Sequence, residues 1–127
     1  MLAPRVVFTS AAAITALIGG AWIVAPTVLF AAWQIVAPDA IAIYMGRRYG
    51  AMFFGYSALF WLTRDEASSP VGRAIAASGV VAASVMAATS AWGAVTGVTG
   101  PEIWAVAALE AGLAVVFARA WALASPR

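Results

Sequence analysis

Four long apolar segments, separated by short polar turns, dominate the pattern of hydrophobic and polar positions along the chain. They cover about residues 6–25, 40–63, 71–93 and 102–124. About 20 apolar residues in a helix cross the ~30 Å hydrocarbon core of a bilayer. A backbone in lipid must also satisfy its own hydrogen bonds, and the alternation typical of strands is missing. The pattern therefore predicts four transmembrane α-helices.

Proline and capping residues mark where the predicted helices begin and end. Pro26 follows the first segment, and Asp39 and Ser69 are placed to cap the second and third. Pro70 stands in a first helical turn, where its missing N–H is not needed. Because the connections are short, successive helices run antiparallel. We therefore expect one all-α domain over residues 1–127, a polytopic membrane protein with an antiparallel bundle of four transmembrane helices.

The connection over residues 26–38 is also apolar but is too short to span a bilayer. Proline at both ends, with Trp33 and Gln34 between, predicts a short helix that lies in the membrane interface. The first segment, preceded by Arg5, shares features with a secretory signal peptide. Its length and the three segments that follow favour a spanning helix.

Composition agrees with a membrane protein and removes several kinds of chemistry. The 127 residues are 65% hydrophobic and 9% charged, whereas soluble domains carry about 25% charged residues. The chain has no Cys and no His, which excludes disulfides, thiol chemistry, Cys/His metal ligands and a histidine general base. We expect no metal and no cofactor. No basic run exceeds two residues, which argues against a nucleic-acid partner.

The placement of arginines predicts the orientation in the membrane. Four spans put both termini and the connection between the second and third helices on one side. The arginines that belong to this side are Arg5, Arg64, Arg73, Arg119 and Arg127. The other side has only Arg47 and Arg48. The positive-inside rule then places both termini in the cytoplasm, with the protein integral to the inner or plasma membrane of the cell.

Two adjacent arginines interrupt the second predicted helix. Arg47 lies about seven residues, or ~10 Å, below the outer end of that helix, and Glu110 lies at a similar depth in the fourth helix. An unpaired charge near the bilayer centre costs about 2.5–3.5 kcal/mol on insertion scales. We expect Glu110 to face the bundle interior and to pair with Arg47, which is nearer than Arg48 to the face of Gly46 and Gly50.

The surroundings of the arginines leave two interpretations open. Both arginines can be interfacial anchors, with Arg48 reaching up to the headgroups. Alternatively, Tyr44, Tyr49 and Trp104 lie within about two turns of the charged residues and line a pocket for an apolar or cationic ligand. We therefore take Arg48 and these three aromatic residues as candidate substrate-binding residues. The tryptophans near helix ends are otherwise typical of an aromatic belt.

The stretch MGRRYGAMFFGYSALFWLTRD, Met45 to Asp65, is similar to the second-helix segment of the DoxX-like family of small four-helix membrane proteins, including its DUF4345-type members. The matching positions are Arg47 or Arg48, Gly50 and Gly55. The resemblance implies a four-helix bundle. It implies no single activity, because the members are mostly uncharacterised or are subunits of membrane oxidoreductases. Without Cys and His, a redox role of this chain's own is less expected.

Three hypotheses about function remain open. The first is a noncatalytic membrane protein that binds a hydrophobic, lipid-like molecule or a partner subunit around Glu110 and Arg47. The second is an acid–base enzyme of the cyclase, isomerase or epoxide-opening hydrolase type. In this enzyme, Asp39 and Glu102 lie at the mouth of a pocket and act with Glu110 and Arg47. The third is a proton-coupled transporter that works as a homodimer. All three have the lipid bilayer as a partner.

Overall fold

The computed structural model describes residues 3–35 and 37–124, and the regular secondary structure in this part of the chain is helical, without strands. The predicted all-α class is confirmed, and so is a short helix between the first two long ones. Arg127, counted above for the orientation, lies outside the described residues. The elements in chain order are α1 (Pro4–Val24), α2 (Pro26–Ala32), α3 (Ala40–Leu62), a 3₁₀ turn (Arg64–Glu66), α4 (Pro70–Thr96) and α5 (Ile103–Leu123).

Three of the long helices, α1, α4 and α5, are long and apolar enough to cross a membrane. With 23 residues, α3 is also long enough, but it is not apolar enough to join them. The cause is local, since Arg47, Arg48 and three tyrosines lower the mean hydropathy of α3. Length and apolarity therefore support three of the four predicted spans.

Local capping follows the predicted pattern at two of the helix starts. The side chains of Asp39 and Ser69 each accept a hydrogen bond from the backbone N–H three residues later, at 2.7 and 3.2 Å. Gly97 ends α4 in the left-handed conformation, with φ 70°. Glu102 stands directly before α5 without capping it, so its carboxylate is available to another partner.

The long helices pack as two antiparallel pairs. One pair is α1 with α3, and the other is α4 with α5. Between the pairs, α1 makes a small contact with α5, whereas the described residues of α3 make no close backbone approach to α4 or α5. The antiparallel order agrees with the prediction. The closed four-helix bundle is not confirmed, because α1 lies between α3 and the second pair.

The α1–α3 pair crosses at two glycines. A β-carbon on Gly50 would lie 2.7 Å from the Gly19 carbonyl oxygen, and one on Gly19 would lie 2.9 Å from the Gly50 carbonyl oxygen. Ser57 adds a polar contact further along, because its hydroxyl donates to the Ala12 carbonyl oxygen at 2.8 Å. The predicted glycine face of α3 is therefore the face that packs on α1.

The main hydrophobic core lies at one end of the molecule. We call the end with Pro4 and Leu123 the base and the opposite end the top. At the base, the fully buried Phe8 ring meets Phe60 edge-on at 5.6 Å, and Phe60 stacks on Phe117 at 5.3 Å between ring centroids. These rings join the two helix pairs.

At the top, α2 and the connection after it join the pairs a second time. Trp22 of α1 packs against Phe30 and Trp33, with ring centroids 5.3 and 5.2 Å apart. The Trp33 carbonyl oxygen accepts a 3.1 Å hydrogen bond from the Gly100 N–H in the α4–α5 connection. The pairs are therefore held together at both ends of the molecule.

Candidate functional site

Glu110 is the one charged side chain that is buried within the described part of the chain, with 8% of its surface exposed. It lies seven residues into α5, about 10 Å below the top. Its Oε2 atom accepts a 2.7 Å hydrogen bond from the hydroxyl of Ser90, which faces it from α4. The site is thus a carboxyl group held by one hydroxyl inside an apolar helix pair.

The second carboxyl oxygen of Glu110 is open to a further partner. Oε1 has no hydrogen-bond partner among the described residues, and it is not completely enclosed by the protein. In the same residues, Thr99 Oγ1 is the side-chain atom that is both enclosed and unpaired. Oε1 therefore reaches the surface of the helix pair. Because polar groups in apolar surroundings are costly unless they are paired, a donor from outside would be stabilising there.

The structure does not bring Arg47 to Glu110. The two ion pairs among residues 3–35 and 37–124 both use Asp65, with Arg5 at 3.0 Å and Arg64 at 3.9 Å. Arg47 is exposed on α3, which does not approach the α5 backbone. The expected direct pair of Arg47 and Glu110 is therefore wrong. Equal depth in two helices leads to contact only where the helices are neighbours, and the contact between α3 and α5 described above, Phe60 on Phe117, lies at the base and not at this depth.

The candidate substrate-binding residues also face away from Glu110. The Arg48 guanidinium lies 5.9 Å from the ring centroid of Tyr44, and both residues are exposed on α3. Tyr49 is exposed on the same helix, and Trp104 is exposed on α5. These side chains form outward surfaces of two separate helices and do not line one pocket.

The two further acids proposed as catalytic partners lie at the top surface. Asp39 is exposed and serves as the cap of α3. Glu102 is exposed, and its Oε1 accepts a 2.6 Å hydrogen bond from the side-chain amide of Gln34. Along α5, Glu102 is eight residues, or ~12 Å, from Glu110. The structure therefore does not assemble the expected group of acids.

The hydrogen-bond partners of Glu110 and Glu102 are Ser90 and Gln34, respectively. The sequence analysis predicted neither of these contacts. A serine in an apolar helix commonly bonds to its own backbone, so its presence alone does not predict a partner on another helix. The distance of Ser90 from the end of α4 is the sequence feature that could have predicted this contact. Ser90 is six residues from Thr96, about 9 Å below the top, which matches the depth of Glu110 in the adjacent helix.

A cleft opens between α1 and α5 above the base. Residues at helical spacing share one face of α1, and the exposed fraction along that face rises from 6% at Val7 and 7% at Ala11 to 40% at Ile14. On α5 the corresponding face changes from 2% exposed at Ala120 to 62% at Leu109. The facing sides of α1 and α5 are therefore less covered above the base, and between the two joined ends they leave an apolar cleft that is open sideways.

Glu110 lies at the edge of this cleft. At 100° per residue, it is about 40° from Val106 and about 60° from Leu113 around α5. Both of these residues are partly exposed, and they share the cleft face with Leu109. Around α5, the position of Glu110 thus lies between the face that contacts α4 and the cleft face.

A second concave surface lies over α2 and has no charged lining. It is an open groove of about 560 Å³, lined by Thr27, Ala31, Gln34, Ile35, Ala37 and Pro38. The amide of Gln34 is already used by Glu102. This groove is therefore concave but has few polar groups with which to bind a ligand.

The described residues contain no group of three Asp, Glu, His or Cys side chains that could hold a metal ion. No family model matches the chain, and no curated protein and no solved structure matches it. The resemblance to the DoxX-like family therefore stays a prediction.

Proposed function

We propose that this protein is integral to the cell membrane, that α1, α3, α4 and α5 all cross it with both termini in the cytoplasm, and that it binds a hydrophobic, lipid-like molecule at Glu110. The fourth span is supported by the packing of α3 along α1, from Phe60 against Phe8 at the base to Gly46 against Trp22 near the top. A helix that follows a spanning neighbour over this length crosses the same layer.

The distribution of charge supports the orientation. The base and its adjoining turns carry most of the described arginines, whereas the upper half of α3 carries two. Cytoplasmic ends of membrane helices are enriched in arginine and lysine. The base therefore faces the cytoplasm, and the Glu110 site lies in the outer half of the bilayer.

The single observation that carries the binding function is the open Oε1 of Glu110 beside an apolar cleft. Lipid tails are as apolar as the cleft walls, so burial of apolar surface gives little driving force inside a bilayer. Selectivity must then come from a polar contact. A long-chain molecule with a hydroxyl group fits both features, because its chain follows the cleft and its hydroxyl donates to Oε1.

The acid–base enzyme has less support than the binding protein. General acid–base catalysis needs groups within hydrogen-bond reach of the reacting molecule. Asp39 and Glu102 lie at the exposed top and make other hydrogen bonds, and Arg47 is on another helix. A partner subunit and a dimeric transporter stay predictions without an observation in their favour.

Photocrosslinking with a defined probe tests the binding site. The probe is a long-chain alcohol with a diazirine in its chain, compared with its methyl ether, on protein in phosphatidylcholine nanodiscs. We expect the alcohol to label the facing sides of α1 and α5 and to exceed the ether about 2- to 10-fold, the range of one hydrogen bond.

Two variants separate the site from general effects. Glu110→Leu removes the acceptor and should abolish the preference for the alcohol. Glu66→Leu removes an exposed carboxylate at the base and should preserve that preference. Labelling spread over the lipid-facing surface, or equal labelling by alcohol and ether in the unchanged protein, would rule out this function.

A further inference from the structure

Two arginines of α3 lie on the outside of the molecule without a protein anion. Arg47 and Arg48 are exposed, and neither forms an ion pair within the described part of the chain, where both ion pairs use Asp65. Glu110 and Glu102 have other hydrogen-bond partners. The counter-charge for the two guanidinium groups must therefore come from outside these residues.

The direction of Arg48 places its charge near the top surface. Its guanidinium lies over the ring of Tyr44, which is four residues, or ~6 Å, closer to the top. Side chains on a helix tilt towards its N-terminus, and the N-terminus of α3 is at the top. From a backbone position ~12 Å below the start of α3, the charge thus rises by about one turn towards the headgroups.

At this depth the abundant anion outside the protein is the phosphate of a lipid. Guanidinium groups bind phosphate oxygens in a bidentate geometry. We infer that the α3 face of Arg47, Arg48 and Tyr44 binds the headgroup of an anionic phospholipid. With two cations and no carboxylate, this face favours a headgroup of net negative charge over a zwitterionic one, whose own cation it repels.

The surface below the arginines fits the rest of such a lipid. Arg47 and Arg48 are 100° apart around α3, and Tyr44, Ala51 and Gly55 fall in the sector between them. Tyr44 is above the pair, so its hydroxyl can donate to the same headgroup. Ala51 and Gly55 are small and exposed below it, and a β-carbon on Gly55 would meet nothing within 4 Å. An acyl chain can therefore follow this shallow strip.

This site rests on the membrane insertion of α3, which is part of the proposed function, but it is independent of ligand binding at Glu110. Glu110 and its cleft belong to α5 and its contact with α1, whereas the arginine face belongs to α3 and points outwards. An experiment that contradicts one binding site therefore does not contradict the other. Glu110→Leu should not change headgroup binding.

Native mass spectrometry of the delipidated full-length protein tests the inference. The probes are phosphatidylglycerol and phosphatidylcholine with identical acyl chains, added at equal concentration. We expect phosphatidylglycerol to bind about 10-fold more tightly, as two charge-assisted contacts allow, and this preference should weaken as salt is raised.

The double variant Arg47→Gln/Arg48→Gln should lose the preference for phosphatidylglycerol. It should still fold, because it removes charges from a helix in lipid. Arg119→Gln is the matched control, since Arg119 is exposed on α5 near the base, and it should keep the preference. Tyr44→Phe should weaken phosphatidylglycerol binding about 2-fold through the lost hydroxyl.

Three results would overturn the inference. The first is equal binding of the two lipids by the unchanged protein, which would point to an acidic protein partner for the arginines. The second is a preference that survives in the double variant. The third is displacement of phosphatidylglycerol by an equal concentration of inorganic phosphate, which would make the face a site for a soluble anion.

Discussion

At the residue scale, the contact of Ser90 with Glu110 is the polar feature that distinguishes the α4–α5 pair. The hydroxyl donates at 2.7 Å to a carboxyl group that is 8% exposed. A buried acceptor that loses its donor keeps its desolvation cost without compensation. The hydroxyl of Ser90 therefore contributes to stability even though the cleft side of Glu110 is open.

We predict that Ser90→Ala lowers the free energy of unfolding by about 1–2 kcal/mol, the cost of leaving a buried acceptor unpaired. Unfolding of the purified protein in mixed micelles with increasing sodium dodecyl sulfate measures the change. Ser84→Ala is the control, because Ser84 is exposed on the same helix and should change stability by less than about 0.5 kcal/mol. Equal effects of the two changes would show that Ser90 does not hold Glu110.

At the scale of elements, glycine allows α1 and α3 to approach closely. The β-carbon that any other residue would add at Gly50 falls 2.7 Å from a backbone oxygen of α1 and 2.8 Å from the Ile23 side chain. Backbone cannot move aside as a flexible side chain can, so the helices must separate. In lipid, where close packing drives helix association, this separation removes much of the attraction.

We predict that Gly50→Ala destabilises the protein by about 1–3 kcal/mol, the usual cost of overpacking. The control is Gly55→Ala on the same helix, where the added β-carbon meets nothing within 4 Å. That change should be neutral or slightly stabilising, because alanine is the better helix former. The same unfolding measurement compares them, and similar losses in both would contradict the crossing of α1 and α3 at this glycine.

At the scale of the whole molecule, the two helix pairs are joined at their ends and separate between them. The aromatic core joins them at the base, and the hydrogen bond from Gly100 to Trp33 joins them at the top. The contact of Gln34 with Glu102 lies beside this second connection. The cleft is therefore bounded at both ends and open sideways.

The four-span topology predicts opposite labelling of two single cysteines. Ser68→Cys lies in the turn before α4 and Val98→Cys lies in the α4–α5 connection, and both positions are exposed. The chain has no cysteine of its own, so each variant carries one thiol. In intact cells, we expect a membrane-impermeant maleimide to label position 98 but to reach position 68 only after the membrane is opened. Labelling of both positions in intact cells would contradict the topology.

Positions along each helix were readable from the sequence. The four apolar runs predicted the long helices to within a few residues of their observed ends, and Asp39 and Ser69 were identified as caps. These features depend on neighbours in the chain, because a cap bonds to the next turn and a span is set by the number of consecutive apolar residues. The depth of Glu110 and of Arg47 in their helices followed from the same local information.

The neighbours across helices were decided by the tertiary structure alone. Depth measures distance along a helix, whereas contact also depends on which helix lies alongside and on the direction each side chain takes around the axis. Arg47 and Glu110 share a depth but lie on helices that are not neighbours there, while Ser90 shares both the depth and the helix pair of Glu110. The packing of Gly19 on Gly50 brought α1 and α3 together. The same packing left Arg47 and Arg48 on the exposed side of α3, whereas Glu110 is paired with the hydroxyl of Ser90.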